Sequence, residues 1–192
     1  MQLPSKIIDI SMLLDNETVS DPEIMRPHIE YRSGADNAEM VCEFFPGLTP
    51  EDLPDGKGWS WEKITLVTHN GTHLDAPYHF HPVDKEGDAM MTIDEVPLDW
   101  CFRPGVKLDF RKMPDGHVVT AQEVEDELAR IGHELQPFDI VLVNTRASEC
   151  YGTDEYLTAG AGMGREATLY LTERGVRLTG IDAWGWDAPF SH

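Results

Sequence analysis

The chain has 192 residues, of which 41% are hydrophobic and 26% charged, so length and composition predict one globular domain, residues 1–192, with a sizeable core. Its 35 acidic residues against 15 lysines and arginines give a formal net charge of −20. Because nucleic acids and anionic membranes bind positively charged surfaces, this charge excludes both as expected partners.

The cysteines indicate the redox compartment. Cys42, Cys101 and Cys150 are odd in number and far apart, which is typical of a reducing compartment rather than of a disulfide framework. The first residues lack the basic and then apolar pattern of a signal peptide, and no apolar run reaches membrane-spanning length. These features predict a soluble, cytoplasmic protein.

The first half of the chain alternates short apolar segments with loops rich in proline, glycine and acidic residues. Alternating apolar and polar positions and β-branched side chains are typical of strands. We therefore predict a β-rich first half, with strands at residues 7–14, 28–32, 41–45 and 63–68.

The second half changes to alternating strands and helices. Thr120 with Glu123 three residues later forms a capping box, and apolar residues at helical spacing continue until Gly132, which predicts a helix. Residues 140–143 form a continuous apolar run, which suits a strand buried on both faces. The predicted order strand-helix-strand-helix-strand indicates a mixed α/β fold. The other elements of this predicted order are a strand at 106–110, a helix at 165–174 and a last strand at 176–181.

The candidate site is the histidine-rich segment His69–His81, which contains four of the chain's eight histidines together with Asp75. Imidazole and carboxylate are the ligands that suit Zn²⁺ and neighbouring divalent metals. Imidazole also transfers protons near pH 7. The segment therefore predicts a metal site with a proton-transfer group beside it.

The backbone of this segment is expected to be extended rather than helical. Residues 63–68 have the alternation of a strand, Asn70-Gly71 is a turn dipeptide, and Pro77 lacks a backbone donor. We therefore predict a strand that runs into a glycine bend, followed by a short extended run with a turn at Pro77.

Extended backbone sets the expected directions of the side chains. His73 and Asp75 are two residues apart and should point to the same side. The glycine bend should return His69 toward them, and His79 should face the same centre from beyond the proline turn. His81 is expected to be an exposed loop histidine.

Trp59 and Trp61 precede the predicted strand and occupy alternate positions, so their side chains should share one side. They are candidates for an aromatic wall that binds a flat substrate ring. Packing in the core is an equally good interpretation of the same pattern.

The histidine segment resembles the signature of the cyclase family of metal-dependent hydrolases. Weaker similarity extends over most of the chain, including residues 7–11 and 180–182. The resemblance implies a swivelling β/β/α architecture. The matching signature positions are His69, Gly71, Thr72, His73, Asp75, Pro77 and His79.

The resemblance also implies roles for these residues. His69, His73 and Asp75 would bind the metal, and His79 would act as the acid/base toward a metal-activated water. Zn²⁺ is the expected ion, Mn²⁺ is the alternative, and one or two ions remain open. A homodimer or higher homo-oligomer is implied by the family alone.

The family includes bacterial kynurenine formamidases, isatin hydrolases and some lactone hydrolases. The resemblance therefore implies hydrolysis of C–N bonds in a small aromatic amide or cyclic amide. An arylformamidase of tryptophan catabolism that acts on N-formylkynurenine is the first interpretation. Isatin or a related lactam or lactone is the alternative substrate.

One departure from the family keeps a different class of function open. The family uses a further His and Glu downstream to complete a second metal position, whereas after Asp182 this sequence has no Glu and only His192. The chain also stops soon after its last predicted strand, and we expect a form shortened at the C-terminus. A catalytically silent metal-binding protein is therefore the alternative to an enzyme.

Overall fold

The computed structural model describes residues 6–190. Its internal contacts divide the described chain into two compact units. Unit 1 comprises residues 6–17 and 23–71, and unit 2 comprises residues 18–22 and 72–190. The expectation of a single domain stays a prediction.

The predicted fold class is confirmed, because the described residues form a mixed α/β structure with several small sheets and five α-helices. None of the helices in this part of the chain combines the length and the apolar character needed to cross a lipid bilayer. The helices are α1 Ala38–Phe44, α2 Pro77–Phe80, α3 Ala121–Ile131, α4 Ala147–Cys150 and α5 Arg165–Glu173. The strands are β1 His28–Arg32, β2 Trp61–Thr65, β3 Gly105–Asp109, β4 Val118–Val119, β5 Ile140–Asn144, β6 Gly162–Met163 and β7 Leu178–Ile181.

Unit 2 is built on a parallel three-stranded sheet in the order β3-β5-β7. The apolar run predicted as a buried strand is the central strand β5, in which Val141 and Val143 are buried. Helices α3 and α5 each bury an apolar face in the core that includes this sheet. The predicted order strand-helix-strand-helix-strand is thus confirmed, and its core includes Leu108, Val119, Val124, Val141, Met163, Ala167, Leu171 and Val176.

Helix α3 begins and ends where the sequence predicts. The Glu123 backbone N–H donates to the Thr120 hydroxyl, and the Thr120 backbone N–H donates to a Glu123 carboxylate oxygen at 2.8 Å, which completes the capping box. Gly132 ends the helix with φ +68°, a left-handed conformation that glycine adopts without a steric penalty.

Replacing Thr120 by alanine should lower the free energy of unfolding of unit 2 by about 1 kcal/mol, because the first turn of α3 loses its side-chain acceptor. Urea unfolding monitored by far-UV circular dichroism measures the change. Thr172→Ala is the matched control, since its hydroxyl only bonds carbonyl groups of its own helix α5. Equal stabilities of the two variants would contradict the assigned role of the cap.

Unit 1 contains the antiparallel pair β1–β2, in which Ile29 lies opposite Ile64. The strand predicted at 28–32 is thus confirmed. The strand predicted at 63–68 is also confirmed, but it begins at Trp61 and ends at Thr65. The strand predicted at 7–14 is wrong, because those residues do not have strand conformation in the described chain and Ile7 is 87% exposed.

The strand predicted at 41–45 is also wrong, because residues 41–44 belong to helix α1. Ala38 and Val41, three residues apart, are the buried positions, which is the spacing of one helical face. Gly58 lies against Val41, and a Cβ atom at residue 58 would come within 2.8 Å of the Val41 side chain. Because Gly58 has no side chain, helix α1 can pack closely against it, and this packing outweighs the strand propensity of residues 41–45.

Candidate metal site

The turn that opens the histidine segment is held by Asn70. Its side-chain oxygen accepts a hydrogen bond from the Val67 backbone N–H at 2.9 Å, and its amide group donates to the Met25 carbonyl at 2.9 Å. Asn70 is buried, and Gly71 follows with φ +62°, a conformation that favours glycine. The predicted bend at Asn70-Gly71 is therefore present, and it sets the direction in which the next residues leave.

The predicted extended run is wrong around Pro77, where the backbone is helical. Residues 77–80 form the short helix α2, and Pro77 is its first residue. Proline fits that position because its fixed φ is helical and its missing N–H has no helical acceptor there. The Tyr78 backbone N–H donates to the Met91 carbonyl at 3.1 Å, which ties α2 to residues further along the chain.

Three of the predicted site residues lie together. His69, Asp75 and His79 each offer one ligand atom, and these three atoms lie within 4.8 Å of one another. His69 and Asp75 are half-buried, whereas His79 is exposed. Two imidazoles and a carboxylate at this spacing fit a divalent ion with room for a further ligand from solvent or substrate.

His73 lies beside this cluster without joining it. Its Nε2 is 3.4 Å from Asp75 Oδ1, and both side chains are 29% exposed. A carboxylate contact of this kind fixes the orientation of an imidazole and of the carboxylate itself. The predicted roles of His69, His73 and Asp75 as ligands and of His79 as acid/base stay predictions.

His81 lies at the surface, where its Nδ1 is 2.5 Å from the Val83 carbonyl oxygen. This is the exposed loop position that the sequence predicts for it. Because His81 is outside the cluster of His69, Asp75 and His79, it serves below as the control histidine.

The two tryptophans have different surroundings within unit 1. Trp59 is 58% exposed and meets the Phe45 ring edge-to-face, with 6.3 Å between the ring centroids. Trp61 begins β2, and its indole Nε1 is buried with no hydrogen-bond partner among the described residues. Their predicted contact with substrate stays a prediction.

The structure adds a polar group at the carboxyl end of the parallel sheet in unit 2. Asp182 accepts hydrogen bonds from the Asn144 side-chain amide at 2.5 Å, and from the Thr145 backbone N–H and hydroxyl, each at 2.8 Å. Polar residues that follow two apolar parallel strands meet at one edge of a sheet. Asn144 and Thr145 follow the apolar run 140–143, and Asp182 follows the predicted strand 176–181. These positions are the sequence signal from which the polar group could have been predicted.

Asp109 lies at the same end of the sheet. A bidentate hydrogen-bonded pair with the Arg111 guanidinium, at 2.9 and 2.6 Å, holds the pKa of the Asp109 carboxyl far below its usual value, and burial opposes this effect only in part. A carboxyl whose pKa is lowered by folding stabilises the protein above its unfolded-state pKa of about 3.9, and that stabilisation is lost as pH falls.

Arg111→Gln should therefore destabilise unit 2 near neutral pH, and the difference from wild type should shrink progressively as pH falls below about 4, because the unfolded chain then takes up a proton at Asp109 that the folded wild-type protein resists. Urea unfolding at several pH values measures this difference. Lys112→Gln removes a neighbouring exposed charge and is the control. A difference that is independent of pH would contradict the assigned interaction.

The chain belongs to the Cyclase family, whose model matches residues 8–188. Kynurenine formamidase from Bacillus mycoides is 25% identical in an alignment of 147 positions, which covers 69% of this chain and 60% of that protein. Kynurenine formamidase from Geobacillus thermodenitrificans is 35% identical in an alignment of 69 positions, which covers 31% of each chain. The chain thus spans about 60% of the length of the curated relatives that it matches over 147 residues.

Solved structures share the fold. Isatin hydrolase A from Labrenzia aggregata superposes with a TM-score of 0.71 at 24% identity, over 96% of this chain and 70% of that chain. A predicted metal-dependent hydrolase from Bacillus stearothermophilus superposes with a TM-score of 0.59 at 20% identity, over 95% of this chain and 71% of that chain. The fold is therefore that of the isatin hydrolases and cyclases, and the relatives are hydrolases.

Proposed function

We propose that this chain is a metal-dependent hydrolase that cleaves a C–N bond in a small amide or cyclic amide. The observation that carries the proposal is the approach of His69, Asp75 and His79 to within 4.8 Å of one another in a chain of the Cyclase family. The kynurenine formamidases and isatin hydrolases among its relatives support the choice of bond.

The chemistry divides between the ion and the side chains. A divalent ion, when bound, polarises a carbonyl group and lowers the pKa of bound water. His69, His73 and Asp75 would present the donor atoms, and the contact between His73 and Asp75 orients that carboxylate. The exposed imidazole of His79, which is outside this ligand set, would take a proton from the attacking water and return it to the departing nitrogen.

The substrate that we propose carries an aromatic ring. N-formylkynurenine or a related arylformamide is the first candidate, and isatin or another lactam or lactone is the second. An exposed indole such as that of Trp59 offers a face on which a flat ring stacks. Mixed histidine and carboxylate ligation suits Zn²⁺ first and Mn²⁺ second.

The test compares turnover of an arylformamide, a lactam and a lactone by the purified chain loaded with Zn²⁺ or with Mn²⁺. We expect hydrolysis of at least one class, its loss on chelation, and its recovery when the ion is restored. His79→Ala should lower kcat by about 100-fold or more, in the range for loss of a general acid–base group, whereas His81→Ala should retain the wild-type rate.

The same experiment separates the proposed enzyme from a silent metal-binding protein. A chain that binds the ion and hydrolyses none of the three classes would overturn the proposal in favour of the silent protein. Equal rates for His79→Ala and His81→Ala would overturn the role given to His79.

A further inference from the structure

Residues 67–70 form a closed turn that contains His69. The Asn70 backbone N–H donates to the Val67 carbonyl at 3.1 Å, and the Val67 backbone N–H donates to the Asn70 side-chain oxygen at 2.9 Å. These two hydrogen bonds join the same two residues and enclose Thr68 and His69 between them. Asn70 therefore restrains the backbone on both sides of His69.

The same side chain attaches the turn to a distant segment of unit 1. The Asn70 amide group donates to the carbonyl of Met25, the last residue of the 3-10 helix Glu23–Met25, at 2.9 Å. Asn70 is only 7% exposed. A buried amide that loses a partner leaves an unsatisfied polar group out of contact with water, which is costly. Conformations of the turn that break these bonds are therefore disfavoured even when no ion is bound.

A restrained turn matters because His69 is a member of the candidate metal cluster. Its ligand atom lies within 4.8 Å of those of Asp75 and His79. Divalent ions accept ligands over a narrow range of distances, so a histidine on a mobile turn would have to be ordered each time an ion binds. Loss of a group that orients a ligand typically lowers metal affinity by about 10–100-fold.

We propose that Asn70 is a positioning residue for the metal, because it holds the turn of His69 in its binding conformation before an ion binds. This inference rests on the proposed metal-dependent hydrolase. Asn70 acts through His69 rather than as a ligand, since its side-chain oxygen and nitrogen are both bonded to backbone groups. Position 70 is also outside the signature positions that the chain shares with the cyclase family, so the resemblance assigns no role to it.

Asn16 offers a matched control within unit 1. Its side-chain oxygen accepts a hydrogen bond from the Ile29 backbone N–H at 2.6 Å, and its amide group donates to the Ile29 carbonyl at 2.9 Å. Asn16 thus also bonds one backbone N–H and one backbone carbonyl, but it supports strand β1 instead of the histidine turn. Asn70→Ala and Asn16→Ala remove the same two kinds of hydrogen bond, and only the first removes them beside a candidate ligand.

The test titrates Co²⁺ into the full chain and into both variants, and follows the visible absorption of the ion, which depends on the number and geometry of its ligands. Asn70→Ala should bind Co²⁺ about 10–100-fold more weakly than wild type and with a changed spectrum. Asn16→Ala should keep the wild-type affinity and spectrum. Urea unfolding of the metal-free proteins should show a loss of stability in both variants, so a loss of stability alone would not explain the difference in binding.

Hydrogen exchange of the metal-free wild-type chain supplies a second measurement that requires no substitution. The amides of Val67 and Asn70 both donate within the turn and should exchange slowly before any ion is added. Fast exchange of these amides would overturn the proposal.

The binding experiment separates this inference from the proposed function. Binding of Co²⁺ by wild type, with the same affinity and spectrum in Asn70→Ala and Asn16→Ala, would overturn the role of Asn70 alone. A wild-type chain that binds no Co²⁺ would overturn the metal site and this inference together.

Discussion

Asp75→Asn should abolish most metal binding and lower hydrolysis by at least about 100-fold, because losing a predicted ligand should cost no less than losing a group that supports a ligand, which costs about 10–100-fold. Asp75 belongs to the cluster with His69 and His79, and its carboxylate also contacts His73 at 3.4 Å. Asparagine keeps the size of the side chain but removes the negative charge and one anionic donor.

Metal content and kcat/KM of Asp75→Asn, measured beside wild type, check this result. Asp99→Asn is the control, because Asp99 is exposed and lies in a short 3-10 helix outside the cluster. We expect wild-type values for the control. Retention of most of the bound metal and most of the activity by Asp75→Asn would contradict the site as described.

Leu108→Ala should have the largest effect on stability, lowering the free energy of unfolding of unit 2 by about 3 kcal/mol. Leu108 is fully buried in β3, opposite Val143 of the central strand, so truncation leaves a cavity in the middle of the core. For a domain of this size the loss corresponds to a fall in Tm of about 6–12 °C.

Thermal unfolding of Leu108→Ala beside Leu98→Ala measures this effect with a matched control. Leu98 is 84% exposed, so the same truncation there should change the free energy of unfolding by less than about 0.5 kcal/mol. Similar Tm values for the two variants would contradict the placement of β3 in the core.

The second half of the fold could be predicted because its signals are local and agree with one another. The capping box at Thr120 and Glu123, the stop at Gly132 and the apolar run at 140–143 each predict one element, and the structure contains all of them. Strands that alternate with helices also restrict the topology to a parallel sheet. Local propensity and global packing therefore lead to the same arrangement.

The first half could be predicted only in part because its signals depend on distant partners. Residues 7–14 have the composition of a strand, but a strand forms only beside another strand, and the described chain provides none there. The composition of residues 41–45 is compatible with a strand or a helix. The helix forms because it buries Ala38 and Val41 together on one face. Neither fact can be obtained from the segment alone.

The sequence alone indicates the candidate residues of the site but not how they are arranged in space. Residue types and spacing identify His69, His73, Asp75 and His79, whereas the grouping of three of them depends on the turn at Gly71 and on helix α2. The sequence does not predict the start of α2 at Pro77, because proline is compatible with two structures. It interrupts a strand, and it is also favoured as the first residue of a helix.

The most direct test of the account is the metal content of the purified chain, with His69→Ala and His81→Ala measured alongside it after equilibration with Zn²⁺ or Mn²⁺. We expect at least about one ion per wild-type chain, its loss in His69→Ala and its retention in His81→Ala, because of these two histidines only His69 belongs to the cluster. A wild-type chain that binds neither ion, or the same metal content in both variants, would contradict the assignment of a metal site to this segment.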